Sequence, residues 1–388
     1  MHRIRRWLGV GGLLALAACA SGGVPGSGER PRGVQPGITV LVRDSVHLVK
    51  GKRVALLADA KLGDASGTPD LRLLREPKVA EAGVSVVELP AERAPTADDL
   101  RDVDLLLIDV QGDGTRLGSE TTMLVAALRA AAAARKPVLV LDRPTPLNGE
   151  RTEGGVPDAD VAAMARDGGR GTEVPGLYPV PTRHGMTTGE LARVLDDRLG
   201  IGANPRVLAM RGWSRSMWFD QTRLRWVPPS PEVPTWTAAF VRAVVAPLDG
   251  SNLVVRREAE GAVFRVGAPW LDVRQALARI EDREPNGFRV RASSVSANGE
   301  EMPALRVEVL DRASQASRVA AYVLWAVVGA GGRDSLRLAP GRAEVALGSA
   351  DVVRALLAGG DPDEAGDQLL ALGVTFRNAA RSSFLYYR

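Results

Sequence analysis

Four acids, Asp59, Glu92, Asp109 and Asp142, stand at or just after the carboxyl ends of short apolar runs. A ring of carboxylates there suits glycoside hydrolysis, in which one acid protonates the leaving oxygen and a second acts as base or nucleophile. The same ring suits magnesium, and any single aspartate at a strand end also serves simply to cap a turn or the next helix. His184 follows Arg183 just before a helix start, where the helix dipole favours an anion or a neutral imidazole. With three histidines and one cysteine in 388 residues, a clustered His/Cys zinc site is excluded. The glycine-rich stretch at 9–14 precedes any strand, and no Walker or GxGxxG loop follows one, so no nucleotide and no cofactor is expected.

The elements that must hold these residues follow from periodicity. Arg53 to Asp59, Val84 to Leu89, Val103 to Val110 and Pro137 to Asp142 are nearly continuous apolar runs, as strands buried on both faces should be. Thr121 to Arg135 and Thr187 to Leu199 read as helices opened by capping threonines. The alternation predicts an α/β fold: a Rossmann-like, doubly wound parallel sheet over 38–200, with ligands bound beyond the strands' carboxyl ends. After Asn204-Pro205 a strand at Arg206 to Met210 opens a loop-rich segment with six of the seven tryptophans. It settles into a helix (Asp272 to Asp282), strands (Phe288 to Ser293, Leu305 to Leu310) and a helix (Ser317 to Gly329), predicting a second α+β domain over 201–388 with a cleft between the two.

The amino terminus reads as an address. His2, Arg3, Arg5 and Arg6 form a charged start, Trp7 to Ala15 an apolar stretch, and Leu16-Ala17-Ala18-Cys19 a lipobox, so 1–18 is expected to be a signal peptide and Cys19 to carry lipid. The apolar stretch is short of the roughly 20 residues a spanning helix needs. A lone cysteine excludes an internal disulfide framework. Residues 19–37, rich in Gly, Pro and Ser, read as a flexible tether. The expected location is the cell envelope, lipid-anchored, facing the periplasm from the outer membrane in a diderm host. Arg3, Arg5 and Arg6 are three of 50 Lys and Arg side chains, so their removal leaves 47 against 46 acids. The near-neutral body, with its arginines dispersed among acids, argues against nucleic-acid binding.

Several blocks, in order and well spaced, carry a resemblance. GITVLVRDSVHLVKGKRVALLAD opens the body; Asp109, Gln111, Gly114 and Arg116 form a DxQxxGxR pattern; Asp142-Arg143-Pro144 follows a strand. PTRHGMTTGELA supplies Arg183, His184, Gly185, Met186, Thr187, Gly189 and Glu190. MRGWSRSMWFDQTRLRWVPPSPEVPT supplies Trp213, Arg215, Trp218, Trp226 and Pro229-Ser230-Pro231, and DGSN at 249–252, GAPW at 267–270 and a closing FLYY complete the set. In these the chain resembles the NamZ/YbbC-type exo-β-N-acetylmuramidase family, formerly a domain of unknown function, from about Gly37 to Arg388. The resemblance implies release of terminal N-acetylmuramic acid from peptidoglycan fragments in a cleft between a Rossmann-like domain and a second α/β domain.

The departures from the family pattern bear on chemistry. The family's Asn-His-Thr-Gly is replaced around Asp59-Ala60-Lys61-Leu62, and its Pro-Glu-His-Gly block, with the presumed catalytic glutamate, is missing where Val84 to Pro90 runs into Ala91-Glu92-Arg93. Two tyrosines expected after Arg116 are Gly118 and Glu120; the asparagine of the PSPN run is Glu232; of Ser-Glu-Gly-Arg-Gly-Thr only Arg257 survives. Two readings follow. In a working exo-muramidase, Glu92 replaces the missing acid and Asp109 or Asp142 is the second carboxylate. In a non-catalytic envelope lipoprotein, a possible pseudoenzyme, the inherited cleft binds muropeptides or a protein partner: Arg143, Arg183 and Arg257 pair with carboxylates, and Trp213 and Trp218 stack on sugar. Gln111, Arg116, His184, Glu190, Arg215 and Asn252 complete the binding residues implied by the resemblance.

Overall fold

The computed structural model describes residues 33–89, 93–167, 176–258, 262–283 and 286–386. The signal, Cys19, most of the tether and Glu92 lie outside the described residues.

Among the described residues the strands form two sheets. The first is built from α1 (Gly37–Asp44), β1 (Arg53–Ala58), α2 (Asp70–Leu74), α3 (Pro77–Glu81), β2 (Ser85–Glu88), β3 (Leu105–Asp109), α4 (Ser119–Ala134), β4 (Val138–Leu141), α5 (Ala159–Asp167), α6 (Thr188–Arg198) and β5 (Arg206–Leu208). Its order is β2-β1-β3-β4-β5, all parallel. The apolar runs are continuous because alternate residues feed separate cores on the two faces. Val54, Leu56, Leu105, Leu107, Leu139 and Leu141 face the layer that holds α1, α2 and α3. Ala55, Leu57, Leu106, Ile108, Val138 and Val140 face α4 and α6. The expected doubly wound parallel sheet is therefore present, in the arrangement whose topological switch lies between β1 and β3.

Two local expectations need correction. The strand beginning at Arg206 does not open the second sheet: Arg206, Val207 and Leu208 pair with Leu139, Val140 and Leu141, closing the first one. The Asn204-Pro205 break is the tight αβ connection that returns the chain from α6. The helix read from Thr121 starts at Ser119 with Gly118 as N-cap and no side-chain cap, whereas Thr187 does cap α6, in a reciprocal capping box with Glu190.

The second module contains α7 (Phe219–Thr222), α8 (Trp236–Val245), β6 (Val254–Arg257), β7 (Val263–Gly267), α9 (Val273–Glu281), β8 (Phe288–Ala297), β9 (Glu300–Val309), α10 (Ala316–Val327), α11 (Arg333–Ser335), α12 (Arg342–Leu347), α13 (Ala350–Leu357) and α14 (Pro362–Ala379). Its antiparallel sheet, β6-β7-β9-β8, packs Phe264, Val266, Leu305 and Val307 against Tyr322, Leu324 and other residues of α10, which is buried along its length except at Arg318. The last helix then returns to the first module: Leu369 of α14 lies in the second core, while Phe376 and the following Ala380 and Phe384 lie in the α4/α6 core. That double engagement makes Gly33–Arg388 one compact unit. Among the described residues no helix is long and apolar enough to cross a membrane.

Candidate active-site crevice

In a sheet of this order, connections leave β1 in opposite directions, so loops diverge beyond the carboxyl ends of β1 and β3 and leave a crevice. A cavity of about 290 Å³ lies there. Asp59, just past β1, Gln111, just past β3, and Ser119 and Glu120, in the first turn of α4, supply its polar side chains. Met123 and Leu62 wall it, and the Val227-Pro228-Pro229 loop brings the opposite wall from beyond the first sheet. A second cavity, about 580 Å³, adjoins on the β2 side and shares Ala58 and Asp59.

Asp59 is exposed and its Oδ1 accepts the Lys61 N–H at 2.7 Å, which shapes the turn after β1. Gln111 Nε2 donates to the carbonyls of Gly112 (2.9 Å) and Pro144 (3.0 Å), fixing the side chain across the β3 and β4 loops. Glu120 is half-buried, and its Oε1 accepts the Asp113 N–H at 2.8 Å. Burial and then the neighbouring Asp113 carboxyl push Glu120 well above the usual carboxylate range. Asp113 is raised too by burial, against the pull of Arg242, whose Nε stands 3.3 Å from Oδ2. Burial thus disfavours ionising either carboxyl, and the Asp113 carboxyl raises Glu120 further.

The other carboxylates of the predicted ring are differently placed. Asp109 is completely buried and ion-paired with Arg143: Arg143 Nε donates to Oδ1 and Nη2 to Oδ2 at 2.8 Å. Arg143 Nη2 also donates to the Gly63 carbonyl at 2.9 Å and stands 3.6 Å from Asp70, whose carboxyl is raised by burial and by Asp109. Asp142 is completely buried beneath the start of α6, accepting the Gly189 N–H (2.7 Å), the Arg143 N–H (3.0 Å) and the Tyr386 hydroxyl (2.5 Å). Burial pushes it up to about 7, against the pull of those donors. Neither Asp109 nor Asp142 lines the crevice, because each is consumed by internal partners.

The residues predicted to bind are mostly structural in their contacts. Arg116 donates to the carbonyls of Gly176 and Val345 (2.6 Å) and to Thr182. Arg183 pairs with Glu153 at 2.7 Å and lies over Trp218, while Glu153 Oε2 accepts from Ser317 at the start of α10. Arg215 pairs with Glu190 at 2.8 Å and donates to the carbonyls of Gly149 and Gly185; Glu190 also accepts the Leu385 N–H at 2.7 Å. His184 is buried, its Nδ1 accepts the Met186 N–H at 3.1 Å, and burial followed by Arg116 and Arg183 holds it down at about 3. Trp213 packs edge-on to Tyr386 and Trp218 against Trp236. Asn252 fastens the Ser335 carbonyl and the Arg337 N–H, and Arg257 lines a separate groove with Asp249 and Arg342, so both belong to the second module. Of the predicted binding residues, Gln111 alone is placed on the crevice. Sequence reasoning gave no role to Glu120; the signal available was that it and Gly118 jointly replace two expected tyrosines.

The class defined by the fold is an α/β protein with a doubly wound parallel sheet, and its switch-point crevice carries two acids and an amide. The family described as "Exo-beta-N-acetylmuramidase NamZ, N-terminal" matches residues 70–237. Over 315 residues, 73% of each chain, the sequence is 30% identical to the peptidoglycan beta-N-acetylmuramidase NamZ of Bacillus subtilis strain 168. Two crystal structures of DUF1343 family proteins from Bacteroides fragilis share the fold. One has a TM-score of 0.75 at 23% identity, covering 92% of this chain and all of that one. The other has 0.64 at 19%, covering 91% and 99%. The chain belongs to the NamZ family.

Proposed function

We propose that this chain is a glycoside hydrolase of the β-N-acetylmuramidase type, acting on the N-acetylmuramic acid end of peptidoglycan fragments in the crevice beyond β1 and β3. The observation that carries the reading is that, in a NamZ-family chain, two carboxylates, Asp59 and Glu120, stand with Gln111 around one cavity of about 290 Å³ with an apolar wall. Glycoside hydrolysis asks for a carboxyl pair, and a partly apolar wall is what a pyranose face packs on. The exported, lipid-anchored address read at Cys19 is part of the proposal, since the substrate is in the envelope; Cys19→Ala is expected to move the protein from the membrane to the soluble fraction of envelope extracts.

The test is turnover of a chromogenic β-N-acetylmuramide and of a muramic-acid-terminated disaccharide. Activity in the wild type that falls by about 10²- to 10⁴-fold in Asp59→Asn is expected. A wild type that turns over neither substrate overturns the hydrolase reading. A second reading, muropeptide binding without turnover, is favoured by one observation: Asp109 and Asp142 are both sealed in internal pairs. Calorimetric heat with muropeptide in a chain without turnover is the outcome that selects it.

A further inference from the structure

Gly118 and Glu120 are linked in space as well as in sequence. A Cβ on residue 118 would stand 2.0 Å from Glu120 Oε1 and 2.3 Å from both Cδ and Oε2, so the carboxyl occupies the volume that any larger residue at 118 would fill. The backbone of Gly118 is ordinary, with φ −69°, so glycine is needed there for room rather than for conformation. The Asp113 N–H then grips the folded-back carboxyl, and Arg242 holds the Asp113 side chain beneath it. Glycine at 118, glutamate at 120 and the Asp113 grip form one device, and it ends on the wall of the crevice that Asp59 shares.

We propose that Glu120 is the proton donor of this crevice, working with the Asp59 carboxylate, and that Gly118 and Asp113 are its positioning residues. The inference rests on the hydrolase reading above. Glu120 gives its proton to the glycosidic oxygen as the bond to the anomeric carbon breaks, and the bonding electron pair leaves with that oxygen as a hydroxyl. Water adds to the anomeric carbon, and its spare proton returns to the carboxyl pair, so that sugar, alcohol and enzyme are all restored in balance. Burial and the Asp113 carboxyl favour the protonated form of Glu120, the form a general acid needs.

An acid is recognised by leaving-group dependence, because an aryl leaving group departs with little protonation and a sugar hydroxyl does not. Glu120→Gln is expected to lower kcat/KM on the disaccharide by about 10²- to 10⁴-fold, with a loss at least about tenfold smaller on the aryl glycoside. Gly118→Ala, which displaces a flexible side-chain end and leaves the backbone alone, is expected to show the same split with an unchanged melting temperature. Asp113→Asn is expected to move the alkaline limb of the kcat/KM profile to lower pH, since the neighbouring charge that raises Glu120 is gone. Wild-type turnover with equal losses on both substrates in Glu120→Gln, or with the split appearing in Glu92→Gln instead, overturns the assignment while leaving the hydrolase reading intact. Absence of turnover in the wild type overturns both.

Discussion

Replacing Arg143 by Met tests whether the arginines at the sheet rim serve structure. Arg143 is 3% exposed and Asp109 fully buried. The substitution keeps the aliphatic stem and removes both donors to Asp109, the 2.9 Å bond to the Gly63 carbonyl and the only cation placed against Asp70 at 3.6 Å among the described residues. Leaving a buried charge without its partner costs about 3–5 kcal/mol. The Gly63 carbonyl adds about 1 kcal/mol as an orphaned acceptor. A loss of about 4–6 kcal/mol is therefore expected at pH 8 in urea unfolding followed by tryptophan fluorescence. The deficit should shrink at pH 4, since burial and Asp109 already raise the Asp70 carboxyl and its protonation removes one buried charge. Arg143→Met/Asp109→Asn should recover at least about 2 kcal/mol of it, since the double change removes the charge along with its partner. A loss below about 1 kcal/mol, or one equal at both pH values, refutes the reasoning and frees Arg143 for a ligand.

Other outcomes follow from individual contacts. Tyr386→Phe removes the hydroxyl that donates to Asp142 at 2.5 Å and accepts the Met210 N–H at 2.7 Å, so a loss of about 1–3 kcal/mol is expected in the same unfolding assay. Gly373→Ala would gain about 1 kcal/mol from helix propensity, yet its Cβ would stand 2.3 Å from the Thr152 carbonyl oxygen, so the crossing of α14 over that loop must shift and a net melting-temperature decrease is expected. Asp142, raised to about 7, keeps a proton in the folded state that the unfolded chain loses above about pH 4, so its contribution falls as pH rises through that window. His184, held at about 3, refuses a proton that the unfolded chain takes below about pH 6.5, so its contribution falls as pH drops. Relative to wild type, stability against pH between about 4 and 6.5 should tilt upward in Asp142→Asn and downward in His184→Gln, each by about 1.4 kcal/mol per pH unit; parallel curves for all three proteins would contradict both placements.

The parallel strands were legible because burial on both faces leaves no room for polar residues, and Val54 to Leu57 shows it: two side chains feed each core. What periodicity could not show is partnership. Arg206–Leu208 is as good a strand for one sheet as for another, and only its pairing with β4 assigns it. Helix α14 escaped the sequence reading because its apolar residues answer to two cores along its length, Leu369 to one and Phe376 to the other. The site was hardest. Arg116, Arg183 and Arg215 stand in the blocks that carry the family resemblance, and the same residue types serve an anionic ligand or a buried carboxylate equally well. Glu120 was missed because a glutamate in a first helical turn ordinarily answers the helix dipole, and the two-residue spacing to Gly118 acquires meaning only once the carboxyl is seen folded back over it.

The distribution of cations around the rim separates the acids that build the frame from those on the crevice wall. Three buried arginines each take one carboxylate: Arg143 takes Asp109, Arg183 takes Glu153, Arg215 takes Glu190. Each pair also reaches a backbone group from a different segment, Gly63, Ser317 and Leu385 respectively, so the ion pairs lock the β1 loop, α10 and the segment after α14 to one frame. A buried pair of this kind contributes little net stability but is costly to break, which is the property a frame needs if two carboxyls are to be held within about 0.5 Å of a working separation. Neither Asp59 nor Glu120 has an arginine among these ion pairs, and the Arg242 guanidinium near Glu120 is paired with Asp113 and Glu232. The frame satisfies its own acids internally, and this is why the proposed reaction is placed on Asp59 and Glu120, the two acids that line the crevice.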